Sequence, residues 1–394
     1  MTGILEFRDV RFSYPNAPEA LAGITTCIGK GEKVAIVGPN GAGKTTFILL
    51  CNGTLRPTGG TVLFSGFPMT YTARGLREVR RTIGIVFQNS DAQLFAPTVY
   101  QDVAFGPLNL GVPQDDLPRI VGEALHAVGL TGYERRPPHQ LSGGEKKRVA
   151  IAGILAMEPG VIILDEPTGS LDPATAEEIL DLLEEIHLQG RTVIVSTHDA
   201  ALAHRFATRI LLLEEGKVVR EGPPREIFSD TAALRRARLT APPLFELHEE
   251  LVHRSLLGAA PPPSGLLDLA DRIERAVRGE VHRSGFGTIY LADAGETDAA
   301  TLIGILAGGQ VQHFGAMGSR AKLAAKDMHL SPDFTYGVID KCLLAAMNGK
   351  SSLILTAGGM VPHTRMRIEA YGKESSALIP LVTVQKSAPR DPVP

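Results

Sequence analysis

The sequence is short of cysteine, of net charge and of long apolar runs, and each shortage excludes a class of protein. Its 3 cysteines, Cys27, Cys51 and Cys342, lie far apart and are odd in number, which argues against a disulfide framework and fits a reduced compartment. A formal net charge of -3 gives no overall basic field, so nucleic acid is not an expected partner. No run approaches the roughly 18 apolar residues that a membrane-spanning helix needs, so any membrane role has to come through another chain. The opening residues, MTGILEFRDV, contain no apolar core of signal-peptide length. What is there, 44% hydrophobic and 21% charged residues, is the composition of a soluble globular protein. At 394 residues the chain is too long for one ordinary core, and two domains are expected.

Up to about residue 222, apolar strand patterns alternate with amphipathic helices, the mark of an α/β domain. KVAIVG (33–38), VIILDE (161–166) and TVIVSTHD (192–199) read as buried strands ending in polar residues. Asp172 as N-cap and Pro173 at the first position open a helix whose apolar face is Ile179, Leu182, Leu183 and Ile186, with Gly190 as its stop. Leu117, Ile120, Val121, Ala124, Leu125 and Val128 predict another helix. Residues 223–283 are Pro-rich with short helical pieces and are expected to be a connector. From 284 a second, smaller α/β pattern runs toward residue 394, with TIYLADAG, VQHFGAMG, SSLILTAGG and ALIPLVTV as strands.

The chemistry sits in the first domain. GPNGAGKT (38–45) follows a strand and precedes a helix, the context a phosphate-binding loop requires. There the backbone of Gly38, Pro39, Asn40, Gly41, Ala42 and Gly43 can close around phosphate oxygens, and the helix N-terminus adds positive potential. Lys44 would reach the β and γ phosphates of a nucleotide, the Thr45 hydroxyl would bind Mg²⁺, and Thr46 would add to the nucleotide site. A chance Gly-rich turn is the competing reading, and the Lys-Thr pair after a strand speaks against it. In VIILDEPT (161–168), four apolar residues deliver Asp165 to a strand end where it can hold the Mg²⁺ shell, with Glu166 beside it to polarise a water. The bland reading of this pair is a solvated strand end. LSGGEKKRVAIAGILA (141–156) places Ser142, Gly143, Gly144 and Glu145 at the start of an amphipathic helix, a second anion-binding N-terminus.

With these motifs in order, residues 3–222 closely resemble the ATP-binding cassette (ABC) ATPases, whose signature reads LSGGQ or LSGGE. The resemblance implies a P-loop NTPase fold with antiparallel β and helical subdomains. It further implies that Tyr14 stacks on adenine, that Gln88 belongs to a loop sensing Mg²⁺ or the attacking water, that Asp172 is in the D-loop and that His198 contacts the γ-phosphate. In this family two cassettes sandwich two ATPs, so Ser142, Gly143, Gly144 and Glu145 would act on the nucleotide of a second ABC subunit, identical or not.

The stretch FQNSDAQLFAPTVYQDVAFGPLNLG (87–111) is similar to that of energy-coupling-factor importer ATPases, which serve cobalt, nickel and vitamin uptake. Those read Phe-Gln-Asn-Pro-Asp-x-Gln-Leu-Phe, then an acidic pair and Ala-Phe-Gly-Pro; here Ser90 and Gln101 depart. This resemblance implies a peripheral subunit at the cytoplasmic face of the cell membrane, with a transmembrane coupling subunit and a substrate-binding membrane subunit. Too broken by Pro and Gly for one long helix, the stretch offers Leu94, Phe95, Phe105 and Leu108 either as a groove for a membrane partner or as filling for a subdomain core. The alternative class is a soluble ABC ATPase with a non-membrane partner. HEELV (248–252) with His253 is not a zinc motif, because histidines at i and i+5 do not share a helix face. In the second domain Gly295, Gly315 with Gly318, and Gly358 with Gly359 end strands and would gather at the carboxyl edge of a parallel sheet, where ligands bind. A regulatory or interaction domain is the expectation, against glycines that merely permit tight turns.

Overall fold

Three aliphatic runs fix the centre of the molecule. In the computed structural model, which describes residues 3–263, 265–278, 285–375 and 378–384, Lys33–Val37, Val161–Asp165 and Thr192–Thr197 are strands of one sheet. All but Lys33 are buried on both faces, as a parallel sheet with helical cover requires. The six-stranded order is Lys217–Gly222, Arg209–Glu214, Lys33–Val37, Thr192–Thr197, Val161–Asp165, Ile83–Val86, parallel except for the first pair. A separate four-stranded antiparallel sheet contains Glu19–Ile28, Leu5–Ser13, Gly59–Phe64 and Phe67–Pro68. One core joins the two: Phe7 and Ile24 from the antiparallel sheet pack in the same cluster as Ile36, Ile163 and Ile194. Phe47, on the helix Lys44–Cys51, stacks on Phe7 with ring centroids 4.4 Å apart. Helices Val99–Leu110, Leu117–Ala127 and Gly143–Leu155 form the helical subdomain.

The chain divides into two compact units, residues 1–179 with 189–264 and residues 180–188 with 265–394. The stretch expected to be a connector is therefore shared between them, with helices Pro224–Ser229, Thr231–Arg236 and Pro243–His253 in the first unit and Leu266–Arg278 in the second. Phe228 and Phe245 are fully buried, and each meets the ring of His204, at 6.2 and 4.8 Å between centroids. Burial, and then the charge of Arg225, lowers the His204 pKa, so the folded chain resists protonating it. The unfolded chain binds that proton more readily, so stability falls as pH drops below about 6.5, the ordinary histidine value. We expect His204→Gln to flatten the acid limb of the melting temperature between about pH 7 and pH 5, read by differential scanning calorimetry. An unchanged limb would assign the acid loss elsewhere.

The second unit contains a parallel sheet in the order His313–Ala316, Ser352–Thr356, Ile289–Asp293, Leu381–Thr383. Its strands fall inside the four stretches that the sequence marks. Gly295, Gly318, Gly358 and Gly359 lie just beyond strand ends; Gly315 does not. It is inside the strand His313–Ala316, where an added Cβ would come within 2.4 Å of Val338, so close helix packing rather than a turn explains this glycine. Residues 279–284 and 385–394, read from sequence as the end of the connector, the first position and the tail of the second domain, lie outside the described residues, as does Ala377 of the last strand pattern.

Candidate active site

The register of the parallel sheet places the motifs. Val37 pairs with Thr197 and Asp165 with Ser196, so three neighbouring strands end level with one another. The segments leaving that edge are the phosphate loop, Glu166 and His198. They line a cavity of about 370 Å³, together with Tyr14, Ala20, Gln88 and Asp165. From the loop itself, Pro39, Asn40, Gly41, Gly43, Lys44, Thr45 and Thr46 face this cavity. Gly38 and Ala42 are not part of the wall, although Gly38 contributes its carbonyl to Lys44. A larger cavity, about 650 Å³, lies around Phe64, Phe67 and Thr192 and includes none of the motif residues.

Lys44 is nearly buried, its Nζ donating to the carbonyls of Gly38 at 2.7 Å and Pro39 at 3.2 Å and standing 3.6 Å from Glu166 Oε1. Thr45 Oγ1 donates to Asp165 Oδ2 at 2.8 Å. Gly43, at φ 98°, turns the loop into the helix Lys44–Cys51 in a conformation that favours glycine. Tyr14 is partly exposed, its hydroxyl 3.2 Å from Thr46 Oγ1 and its ring edge-on to Phe12.

Glu166 adopts φ 44°, a left-handed conformation uncommon for a residue with a side chain. Its N–H bonds the Ser196 carbonyl at 3.1 Å and the Ser196 hydroxyl at 3.2 Å, which hold the turn. The buried carboxylate stands 3.0 Å from His198 Nδ1 through both oxygens. Ser196 Oγ also donates to Asp165 Oδ1. Sequence reading missed Ser196. Its only signal was a hydroxyl within a buried strand next to the one that bears the Asp-Glu pair.

Ser142, Gly143, Gly144 and Glu145 do not line this cavity. They form a reciprocal cap on the helix Gly143–Leu155: Glu145 N–H donates to Ser142 Oγ at 3.3 Å and Ser142 N–H to Glu145 Oε2 at 2.8 Å. Tyr133 OH adds a third bond, to Glu145 Oε1 at 2.8 Å. The bond from Ser142 N–H is the largest of several influences that lower the Glu145 pKa and keep it ionised. An added Cβ on Gly144 would come within 2.3 Å of Thr175, the residue whose N–H and hydroxyl bond Asp172 at 3.0 and 2.6 Å. Asp172 thus caps the helix Pro173–Leu188, as its sequence position suggests.

Residues 87–111 are more regular than their composition suggests. They form a short helix, Ser90–Gln93, and a twelve-residue one, Val99–Leu110, which contains both Gly106 and Pro107. Asp102 is buried and accepts the N–H groups of Phe95 at 3.0 Å and Ala96 at 3.1 Å; burial raises its pKa. This turn leaves Phe95 65%, Phe105 49% and Leu108 44% exposed, while Leu94 is half-buried. Phe95 and Phe105 stack edge-on at 4.8 Å. Those two rings are therefore surface, not subdomain core. Ser90 starts the short helix and Gln101 accepts from the Thr98 hydroxyl, so both departures from the usual pattern sit at helix starts.

Known proteins resemble this chain over most of its length. A family model for ABC transporters matches residues 21–169. The energy-coupling factor transporter ATP-binding protein EcfA2 of Methanospirillum hungatei is 49% identical over 383 residues, 97% of this chain and 96% of that protein. EcfA of Methanocaldococcus jannaschii is 52% identical over 248 residues, 63% of this chain and 89% of that protein. Among solved structures, cbiO1 of Clostridium perfringens, described as part of the ABC transporter complex cbiONQ, is 41% identical with a TM-score of 0.55, covering 63% of this chain and 100% of that one. These likenesses do not favour a soluble ABC factor. With its full-length match to a protein of that kind, the chain belongs to the ATP-binding proteins of energy-coupling factor transporters, the ATP-hydrolysing subunits of this type of ABC importer.

Proposed function

We propose that this ATPase powers uptake of cobalt, nickel or a vitamin, as a peripheral subunit on the cytoplasmic face of the membrane. Its proposed partners are a second cassette, a transmembrane coupling subunit and a substrate-binding membrane subunit. The observation that carries the catalytic part is the cavity in which the phosphate loop, Gln88, Asp165, Glu166 and His198 meet. Lys44, with Gly38 to Thr46, binds the ATP phosphates, and Tyr14 stacks on the adenine. The oxygen donors of Thr45, Asp165 and Gln88 suit a hard divalent cation, and the first two already lie 2.8 Å apart. Bound there, Mg²⁺ supplies charge neutralisation on the phosphates.

Glu166 takes a proton from the water that attacks the γ-phosphorus, the bond to the bridging oxygen of ADP breaks, and phosphate departs. His198, with Nδ1 3.0 Å from both carboxylate oxygens, orients the base and contacts the γ-phosphate. Ser142, Gly143, Gly144 and Glu145 serve the partner cassette's nucleotide, with Asp172 at the same interface. Residues 1–222 act as the cassette, 223–283 as connector and 284–394 as an accessory regulatory or interaction domain. No helix among the described residues is long and apolar enough to cross a membrane. The exposed Phe95, Phe105 and Leu108 patch is the surface offered to the coupling subunit.

Affinity purification of the full-length chain in mild detergent should recover a polytopic membrane protein. The double variant Phe95→Ala, Phe105→Ala should recover about tenfold less of it, because paired aromatic anchors dominate such contacts. ATP binding by the variant chain should be unaltered. Recovery of the wild-type chain alone, or undiminished recovery by the variant, would overturn the transport reading.

A further inference from the structure

Lys147 is a charged residue in the core of the helical subdomain, only 2% exposed, on the same helix that Ser142 and Glu145 cap. Its ammonium is met there by main chain. Nζ donates to two consecutive carbonyls, Phe87 at 3.0 Å and Gln88 at 2.9 Å. The N–H of Phe87 is taken by Gln93 Oε1 at 2.9 Å, so the backbone leading into the cavity is held by side chains rather than by a sheet ladder. Lys146, the preceding residue, bonds Asp91 at 2.6 Å and ties the next turn of the same segment. Gln88, whose main chain Lys147 grips, lines the nucleotide cavity.

An apolar side chain of similar length would fill this position without the cost of desolvating a cation. Burial lowers the Lys147 pKa to about 8, with the charge of Asp165 opposing that shift. The stabilising return is directional: two charge-assisted bonds fix where residues 87 and 88 stand relative to the helix Gly143–Leu155. Gln88, whose carbonyl takes one of these two bonds, lines the cavity, so the ammonium sits behind the wall of the site rather than in an unrelated part of the core.

We infer that Lys147 is a positioning residue for ATP hydrolysis: it clamps the main chain at Phe87 and Gln88 so that the Gln88 side chain is set in the nucleotide cavity, and it makes that setting follow the helix that begins at Ser142. This rests on the assignment of Gln88 to the reaction. It also links two sites in one subunit. The helix start faces the partner's nucleotide in the proposed dimer, while Gln88 faces the subunit's own, so a shift of the helix is passed to Gln88 through one side chain.

The test is a double-mutant cycle in the full-length chain, measuring steady-state ATP hydrolysis, ATP affinity and the Mg²⁺ concentration for half-maximal rate. Lys147→Met should lower kcat about tenfold with less than about a twofold change in ATP affinity, and should raise the Mg²⁺ requirement in the same direction as Gln88→Ala. Lys147→Arg, which keeps charged donors, should recover most of the rate. In the Gln88→Ala background, Lys147→Met should add less than about a twofold further loss, because its effect passes through Gln88. Full multiplication of the two losses would overturn the inference, as would an unchanged kcat in Lys147→Met. If that variant does not fold, Lys147→Gln takes its place in the cycle with the same outcomes deciding. If Gln88→Ala alone leaves hydrolysis and its Mg²⁺ dependence intact, the assignment of Gln88 fails, and the two failures are told apart.

Discussion

Glu166→Gln should leave ATP bound and bring hydrolysis nearly to a stop. The amide keeps the shape of the carboxylate and can still accept from His198, whose Nδ1 lies 3.0 Å away. What it loses is the ability to take a proton from water, a loss that costs about 10²–10⁴-fold where a general base is removed. Binding should not weaken, because Lys44 keeps its bonds to the Gly38 and Pro39 carbonyls and loses only an anion 3.6 Å away that competes with phosphate for its charge. ATP affinity and single-turnover hydrolysis, measured on the same preparation, check both halves. Hydrolysis reduced by less than about tenfold would remove Glu166 from the role of base and move attention to the phosphate oxygens themselves.

Phe47→Ala should cost about 3–5 kcal/mol of stability, the range for emptying a buried aromatic site. Phe47 is fully buried, stacks on Phe7 at 4.4 Å and belongs to the cluster that unites the antiparallel sheet with the parallel one. Few neighbours can move to fill the space, because Phe7, Ile24, Ile36 and Ile163 are themselves packed on several sides in that cluster. For a unit of this size each kcal/mol shifts the midpoint by about 2–4 °C, so the midpoint of this unit's calorimetric transition should fall by about 6–20 °C. The helix that bears Phe47 begins at Lys44, so ATP affinity should fall together with the midpoint. A drop below about 3 °C would show that the two sheets are held by something other than this ring pair.

The order of the motifs, the strands that carry them and the second α/β sheet were legible because local signals agreed. Glycine-rich loop, aliphatic strand and helix cap each point to the same architecture at 38–45, 161–166 and 172–188. The helix Val99–Leu110 was not legible. Gly106 and Pro107 weaken it locally, yet it is held by packing: a Cβ on Gly106 would come within 2.7 Å of Met157, and Pro107 is buried. Contacts distant in sequence were hidden in the same way. Nothing near Ser196 announces its bond to Asp165, and nothing near Lys147 announces Phe87 and Gln88. The grouping of residues 180–188 with the second unit is also invisible in a helix whose periodicity runs unbroken from Pro173 to Leu188.

The left-handed backbone of Glu166 sets stability and activity against each other at one position. A residue with a Cβ held at φ 44° costs about 1–3 kcal/mol, which glycine there would release. Selection for heat resistance alone would therefore favour Glu166→Gly and discard the carboxylate that faces His198. That a glutamate occupies the turn means the chain gives up part of its resilience to keep one acidic oxygen beside its phosphate loop, and thermostabilising libraries screened without an ATPase assay should return inert variants at this residue first.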